Sequence, residues 1–368
     1  MIKKIHMVKK VAVVIYNLGG PDSLDTVKPF LFNLFNDPHI ITLPQPFRYF
    51  LAKTISFFRS SKSKGIYEKM GGKSTILPET QKQSNELKDF LNKNCSMEGE
   101  IQYDVIPLMR YWHPMTEEVV RKVVKGQYDN VVLMPMYPHF STTTTLSSLR
   151  EWFKKAKDMP PTTMVCCYYK TPGFIDSYVD LISQTLSKIT TSKTIRILFS
   201  AHSIPQHISD MGDPYKMQIE ESVRAIAEKL HLERMDNIKY TICYQSKVGR
   251  MKWLEPDIQS ELLAAGKRDE VAVVVPISFT SEHSETLVEL DMDYADLARD
   301  NNIDFHRVST LRTHHLFIKT LGALVVKSLE KFYPDIVQES DLKPSENVKI
   351  QTGCDAAMCC QRINLSAN

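Results

Sequence analysis

Residues 195–205 read IRILFSAHSIP. The first five are almost continuously apolar and β-branched, interrupted only by Arg196. Short runs of this kind suit a strand covered on both faces, as in a parallel sheet. The run cannot extend as a central strand beyond Ile204, because Pro205 has no backbone N–H to give to a neighbour. A histidine, His202, therefore falls just past the strand end. Working outward, 11–16 (VAVVIY), 131–134 (VVLM) and 271–277 (VAVVVPI) have the same character. Residues 102–107, 163–168, 238–243 and 305–308 are further strand candidates. Amphipathic helices are predicted over 80–92, 115–125, 173–189, 214–230 and 317–332. Strand and helix alternate throughout, which predicts an α/β fold of open parallel sheets wound by helices on both sides.

The chain also echoes itself. VAVVIYNLGGP (11–21) is followed later by VVLMPMYPHFSTTTT (131–145), and IRILFSAHSIP (195–205) by VAVVVPISFTSEHSET (271–286). In each pair a buried strand ends in a Gly, Ser or Pro turn, and a second strand ends in a Ser/Thr-rich stretch. Two similar Rossmann-like lobes are expected, with a ligand cleft between them at the carboxyl ends of their strands. The expected division is 1–165, 166–312 and 313–368, the last being a helix that returns to the first lobe and a tail with cysteines. A length of 368 residues suits two domains.

Composition narrows the classes. The chain is 43% hydrophobic and 24% charged, as ordered globular proteins are, and its net charge of +3 gives no basic stripe for nucleic acid. No apolar run approaches the roughly 20 residues that span a bilayer. Seven cysteines, odd in number and irregular in spacing, fit a reduced compartment better than a disulfide framework. Residues 44–65 (PQPFRYFLAKTISFFRSSKSKG) stand apart. Phe47, Phe50, Leu51, Ile55 and Phe58 fall on one helical stripe, with Arg48, Lys53, Arg59, Lys62 and Lys64 around it. Such a segment suits a membrane surface or the mouth of an apolar pocket, and equally an ordinary helix packed on the body.

The chemistry concentrates around His202 and the segment after 271–277. Glu282, Glu285, Glu289 and Asp293 are spaced by three, four and four, which predicts one helical face of carboxylates. Leu287, Leu290, Tyr294 and Leu297 fall on a different, apolar face. Acid stripes usually face solvent. This one begins at the carboxyl end of a core strand, so its first turn is expected at the cleft, near His202. A proton path or a site for a divalent cation is the natural use. Imidazole and carboxylate donors suit ferrous iron. No HExxH or HxH array fixes a permanent metal, so a metal in passage is the better expectation.

Eight ordered strings then point one way: NLGGPD (17–22), YEKMGGKS (67–74), MRYWHP (109–114), MYPHFS (136–141), SAHSIP (200–205), GDPY (212–215), YQSKVG (244–249) and FTSEHSETLVEL (279–290). On these the chain resembles the ferrochelatases, which insert ferrous iron into protoporphyrin IX to make protohaem. The resemblance covers about residues 11–324. It implies a porphyrin between two Rossmann-like lobes, His202 and Glu285 at the metal-insertion site, and Glu289 with Asp293 as an acidic path. It implies that Ser74, Arg110 and Tyr111 place the macrocycle and that Leu18 touches its face. Fe²⁺ and protoporphyrin IX are then substrates, and no cofactor is required. Removal of two pyrrole protons fits a neutral imidazole that accepts and carboxylates that carry away. Which of His202 and Glu285 takes the proton stays open.

Animal members carry an iron–sulfur cluster on one internal and three carboxyl-terminal cysteines. Here the internal position holds Thr142, while Cys354, Cys359 and Cys360 stand in the tail. A 2Fe–2S cluster ordinarily needs a fourth thiolate, from Cys166, Cys167 or Cys243. The resemblance looks bacterial, which places the chain in the cytoplasm with peripheral contact to the inner membrane through 44–65. A chelatase for coproporphyrin or cobalt, and a porphyrin or haem carrier without catalysis, remain as alternatives.

Overall fold

The computed structural model describes residues 8–96, 99–249 and 251–333. Eight strands form two four-stranded parallel sheets. The first holds β1 (Lys9–Asn17), β2 (Ile101–Met109), β3 (Asn130–Pro135) and β4 (Thr162–Met164) in the order β2-β1-β3-β4. The second holds β5 (Ile195–His202), β6 (Ile238–Gln245), β7 (Val271–Pro276) and β8 (Phe305–Arg307) in the order β6-β5-β7-β8. The repeated order is the structural counterpart of the internal echo: β1 and β5 are the two opening strands, β3 and β7 the two later ones. Register agrees, since Tyr16 of β1 faces Pro135 and Ser200 of β5 faces Pro276.

One strand is markedly shorter than the sequence suggests. The candidate at 163–168 pairs only over β4, and residues 165–168 leave the sheet to pack Val165 and Tyr168 in the core. The β5 strand is longer by contrast. His202 is its last residue, opposite Gln245, not a loop residue beyond it.

The central strands are buried on both faces, as their sequences require. Val11, Val13 and Ile15 point one way into a core that continues through Phe174, Tyr178 and Phe317 to Ile197, Phe199 and Val273 of the other sheet. Ala12, Val14 and Tyr16 point the other way, onto Val119, Leu149 and Trp152. Leu198, Ala272 and Val274 pack on Ile258, Leu262 and Leu290. One continuous core thus joins the lobes, and the helix His315–Leu329 lies across both, against the helices Ile76–Asn94 and Pro172–Leu186.

In each sheet the winding reverses beside the first strand: β2 lies on one side of β1 and β3 on the other, and β6 and β7 flank β5 likewise. Ligands of open α/β sheets bind at that switch point, outside the carboxyl ends of the strands. In the second lobe the switch point lies between His202, which ends β5, and the segment that follows β7.

Three helices of the first lobe lie between β1 and β2 in the chain: α1 (Val27–Phe35), α2 (Phe47–Glu68) and α3 (Ile76–Asn94). The α2 helix inverts the ordinary amphipathic rule. It buries Tyr67 and also Ala52 and Ser56, two small side chains allowing close contact with α1, and exposes Phe47, Phe50, Phe57 and Phe58, the last 74% accessible. Among the described residues, no helix is long and apolar enough to cross a membrane.

Candidate active site

The β5 strand delivers His202 to the switch point, and its backbone is fixed there on two sides. The His202 amide donates to Ser278 Oγ at 3.0 Å, and its carbonyl accepts from the Tyr215 hydroxyl at 3.0 Å. Its Nδ1 lies 2.6 Å from Glu285 Oε2. Glu285 in turn accepts from Ser246 Oγ at 3.1 Å, and the Ser246 amide donates to Glu289 Oε1 at 2.9 Å. Gln245 Nε2, at the end of β6, donates to the Glu285 carbonyl at 2.8 Å and to Glu289 Oε2 at 3.2 Å. A continuous line of polar contacts therefore runs His202–Glu285–Ser246–Glu289.

The electrostatics along this line differ from group to group. Burial pushes the His202 imidazole toward the neutral form, but Glu285, by charge and hydrogen bond, and the Glu289 charge raise its pKa above the ordinary value. Burial opposes ionisation of Glu285 too, yet the His202 charge and hydrogen bond hold its carboxyl well below the usual carboxylate range. Glu289 moves the other way. Burial and the neighbouring Glu285 charge raise its proton affinity, against the hydrogen bonds from Ser246. An ionised Glu285 thus stands between two groups, His202 and Glu289, whose proton affinities are both raised. Its ring is 41% exposed.

The acidic stripe does not lie on one face. The helix begins at Ser284, capped by His283, whose side chain accepts from the Glu285 amide; Glu282 precedes it. After Val288 the chain is a π-helix over Glu289–Tyr294, where the Asp293 amide donates to the Val288 carbonyl five residues back at 2.9 Å. The wider turn breaks the three-and-four spacing that an α-helix would keep. The four carboxylates consequently find four different partners. Glu282 turns to Arg307 at 3.0 Å, Glu285 to His202, Glu289 to Ser246, and Asp293 to Lys69 of the first lobe at 2.8 Å. Of the expected apolar face, Leu290, Tyr294 and Leu297 pack in the outer core, whereas Leu287 is half-buried and outside that cluster.

The first lobe's candidates are spread along the equivalent edge. Leu18 follows β1, half-buried beside Trp112. Gly20 brings Ser74 close, for a Cβ at residue 20 would stand 2.4 Å from Ser74 Oγ. Arg110 and Tyr111 follow β2, but both are engaged by Asp37, which is completely buried. Arg110 Nη2 donates to Asp37 Oδ2 at 2.8 Å and the Tyr111 hydroxyl at 2.7 Å, and Ser147 Oγ joins them. Tyr111, 1% accessible, has no face left for a macrocycle, so any effect it has runs through Asp37 and Arg110. An apolar cleft of about 460 Å³ opens between the lobes, walled by Ile40, Leu43 and Leu51 on one side and Pro205, Ile208 and Met211 on the other. His202 and its carboxylates are not among its walls; the Pro205 loop, three residues past His202, connects the two.

Sequence reasoning missed Asp37, Arg307, Tyr67 and Ser246. Ser246 lay inside the quoted string YQSKVG. Its signal is conformational: φ is +64°, a strained setting for a residue with a side chain, which marks functional sites. The cysteine candidates divide. Cys354, Cys359 and Cys360 lie outside the described residues. Thr142 donates its amide and its hydroxyl to Asp213 Oδ2, each at 2.7 Å, so that position holds a carboxylate's hydrogen bonds and no thiolate. Cys243 faces the outer core of the second sheet, and Cys166 and Cys167 pack with Phe140.

Two parallel-sheet lobes, an apolar cleft between them and a histidine–carboxylate line at one switch point are the frame of an α/β enzyme. The chain belongs to the ferrochelatase family: the family model described as Ferrochelatase matches residues 10–329. Among curated relatives, the Ferrochelatase of Wolbachia sp. subsp. Brugia malayi is 46% identical, the match covering 86% of this chain and 99% of the relative. That of Rickettsia bellii is 42% identical over 90% and 91%, and that of Caulobacter vibrioides 44% identical over 88% and 92%.

Proposed function

We infer that this chain is a lyase that inserts Fe²⁺ into protoporphyrin IX, releasing two protons, at the last step of haem biosynthesis. The observation that carries the reading is the His202–Glu285–Ser246–Glu289 line at the switch point of a chain of this family. With Glu285 accepting Nδ1–H, the His202 ring is held in the tautomer whose Nε2 lone pair is free. That lone pair takes a pyrrole proton, as a histidine oriented by a carboxylate does. The imidazolium so formed gives up its other proton, on Nδ1, to Glu285, and from there the charge moves by way of Ser246 to Glu289. Fe²⁺ is the other substrate, received at Glu285 and His202, and His202 Nε2 is free for the pyrrole proton once the ion has passed to the ring. Arg110 and Ser74 place the macrocycle, and Leu18 meets its face. The apolar walls favour protoporphyrin over a more carboxylated ring.

The pH profile tests the line. His202 accepts only when neutral, so the rate falls as pH falls through its raised pKa. Glu285→Gln removes the main group holding that pKa up. The acid limb of kcat is therefore expected to move to lower pH while kcat itself drops, measured by porphyrin metallation between pH 5.5 and 9. An acid limb that stays in place would exclude His202 as the acceptor.

At the internal position Thr142 offers an iron–sulfur cluster no thiolate. We propose that the lobes divide at 1–165, 166–312 and 313–368. We further propose that the exposed phenylalanines of α2 and its flanking Arg and Lys rest on an anionic membrane surface, which suits a cytoplasmic enzyme with an apolar substrate. Phe50→Glu/Phe58→Glu should cut sedimentation with phosphatidylglycerol vesicles by tenfold or more. Equal recovery of parent and variant in the pellet would refute the contact.

A further inference from the structure

The connection from α2 to α3 joins the apolar lip to the rest of the first lobe, and it is tied to the segment bearing Glu285 and Glu289 in the second. The Tyr67 hydroxyl, in the last turn of α2, lies near Ser284 and the Glu285 carboxylate. Lys69 Nζ reaches Asp293 Oδ1 at 2.8 Å. Thr75 Oγ1 donates to the Glu282 carbonyl at 2.7 Å. Between these anchors stand Gly71 and Gly72 with φ of +83° and +86°, conformations that L side chains rarely adopt. The three contacts fall immediately before the Ser284 helix, at its first residue, and near the end of the π-helix. Glu285 and Glu289 lie between the outer two.

The Lys69–Asp293 pair bears directly on the π-helix, the least regular part of the line. Asp291 is held by Arg307 of β8, and Glu289 by Ser246 and Gln245. Asp293 alone is held from the other lobe. We propose that Lys69 is a positioning residue for metal insertion: through Asp293 it seats the π-helix, and so Glu289, when α2 is in place beside the cleft. This rests on the reading of Glu289 as the proton's destination. It departs from the expectation that Asp293 extends the acidic path, because here the Asp293 carboxylate serves as an anchor.

Charge exchange separates the two roles. Lys69→Gln and Asp293→Asn are each expected to lower kcat about three- to fivefold, the coupling scale of a half-exposed ion pair, with KM for protoporphyrin and the melting temperature unchanged. Lys69→Arg should recover most of the rate. The double variant Lys69→Asp/Asp293→Lys restores the pair in reverse and should return to within twofold of the parent. A double variant as slow as the singles, or slower, overturns the proposal, since a proton carrier at 293 cannot be replaced by lysine. So does a Lys69→Gln variant with the parent's kcat. The parent's own turnover is measured alongside: if it metallates no porphyrin, the functional reading fails first, and the reversed pair must then be judged by whether it restores the coupled melting of the Asp293→Lys single variant.

Discussion

His202→Ala is expected to lower kcat for metallation by about 10²–10⁴-fold, the range that a positioned proton acceptor supplies, with protoporphyrin binding retained. The expectation follows from where the ring sits. Its backbone is fixed by Ser278 and Tyr215, its Nδ1 is taken by Glu285, and Nε2 is what remains to meet the substrate. Alanine removes the acceptor without touching the apolar cleft, whose walls lie on other residues. Single-turnover absorbance separates the two effects, since binding and metallation change the porphyrin spectrum differently. Fast metallation by His202→Ala would move the reaction centre elsewhere. Loss of porphyrin binding together with rate would instead make His202 part of the binding wall.

The second large effect is on stability. Arg307, 14% accessible, joins buried Glu282 at 3.0 Å to Asp291 on the π-helix. Glu282 Oε1 also accepts from the Thr310 amide, while Oε2 is buried with no hydrogen-bond partner among the described residues. Arg307→Met leaves that carboxylate without its counter-charge, which costs about 3–5 kcal/mol at neutral pH, read from urea unfolding. The pH dependence has a definite sign. Burial pushes Glu282 up, but Arg307 holds it below the ordinary 4.5. In the parent this contribution is complete above pH 4.5 and is lost as pH falls through the lowered value. In the variant burial acts unopposed by Arg307, the carboxyl prefers to be protonated, and the deficit against the parent should shrink on acidification. A deficit under 1 kcal/mol at pH 7.5 would show that the ion pair contributes little beyond its own desolvation.

Much of this was legible because strands buried on both faces leave so plain a trace. VAVVIY, VVLM, IRILF and VAVVVPI lie in the four innermost strands, and the repeat of their flanking turns reflects a repeated strand order. His202 was found by the same logic, since a strand that must stop at Ile204-Pro205 delivers its last polar side chain to a sheet edge. What stayed hidden depended on partners far along the chain. Nothing near Glu282 announces Arg307, and nothing near Asp293 announces Lys69. The π-helix is invisible to a spacing argument that assumes α geometry, so four acids expected on one face divided among four partners. In α2 the aromatic stripe was visible, but its direction was not. The buried side is made of Ala52 and Ser56, whose value lies in being small beside α1, and hydrophobicity does not report that. Arg110 and Tyr111 were visible as a motif, whereas their engagement by Asp37 required the fold.

The most direct measurement is anaerobic mixing of the purified chain with protoporphyrin IX and Fe²⁺, following porphyrin absorbance and, with a pH indicator, proton release. A metal-inserting chain should convert protoporphyrin through many turnovers and release two protons for each haem formed, in preference to coproporphyrin and to Co²⁺. Tight porphyrin binding without turnover, or a clear preference for coproporphyrin, would contradict the function inferred from the His202–Glu285–Glu289 line.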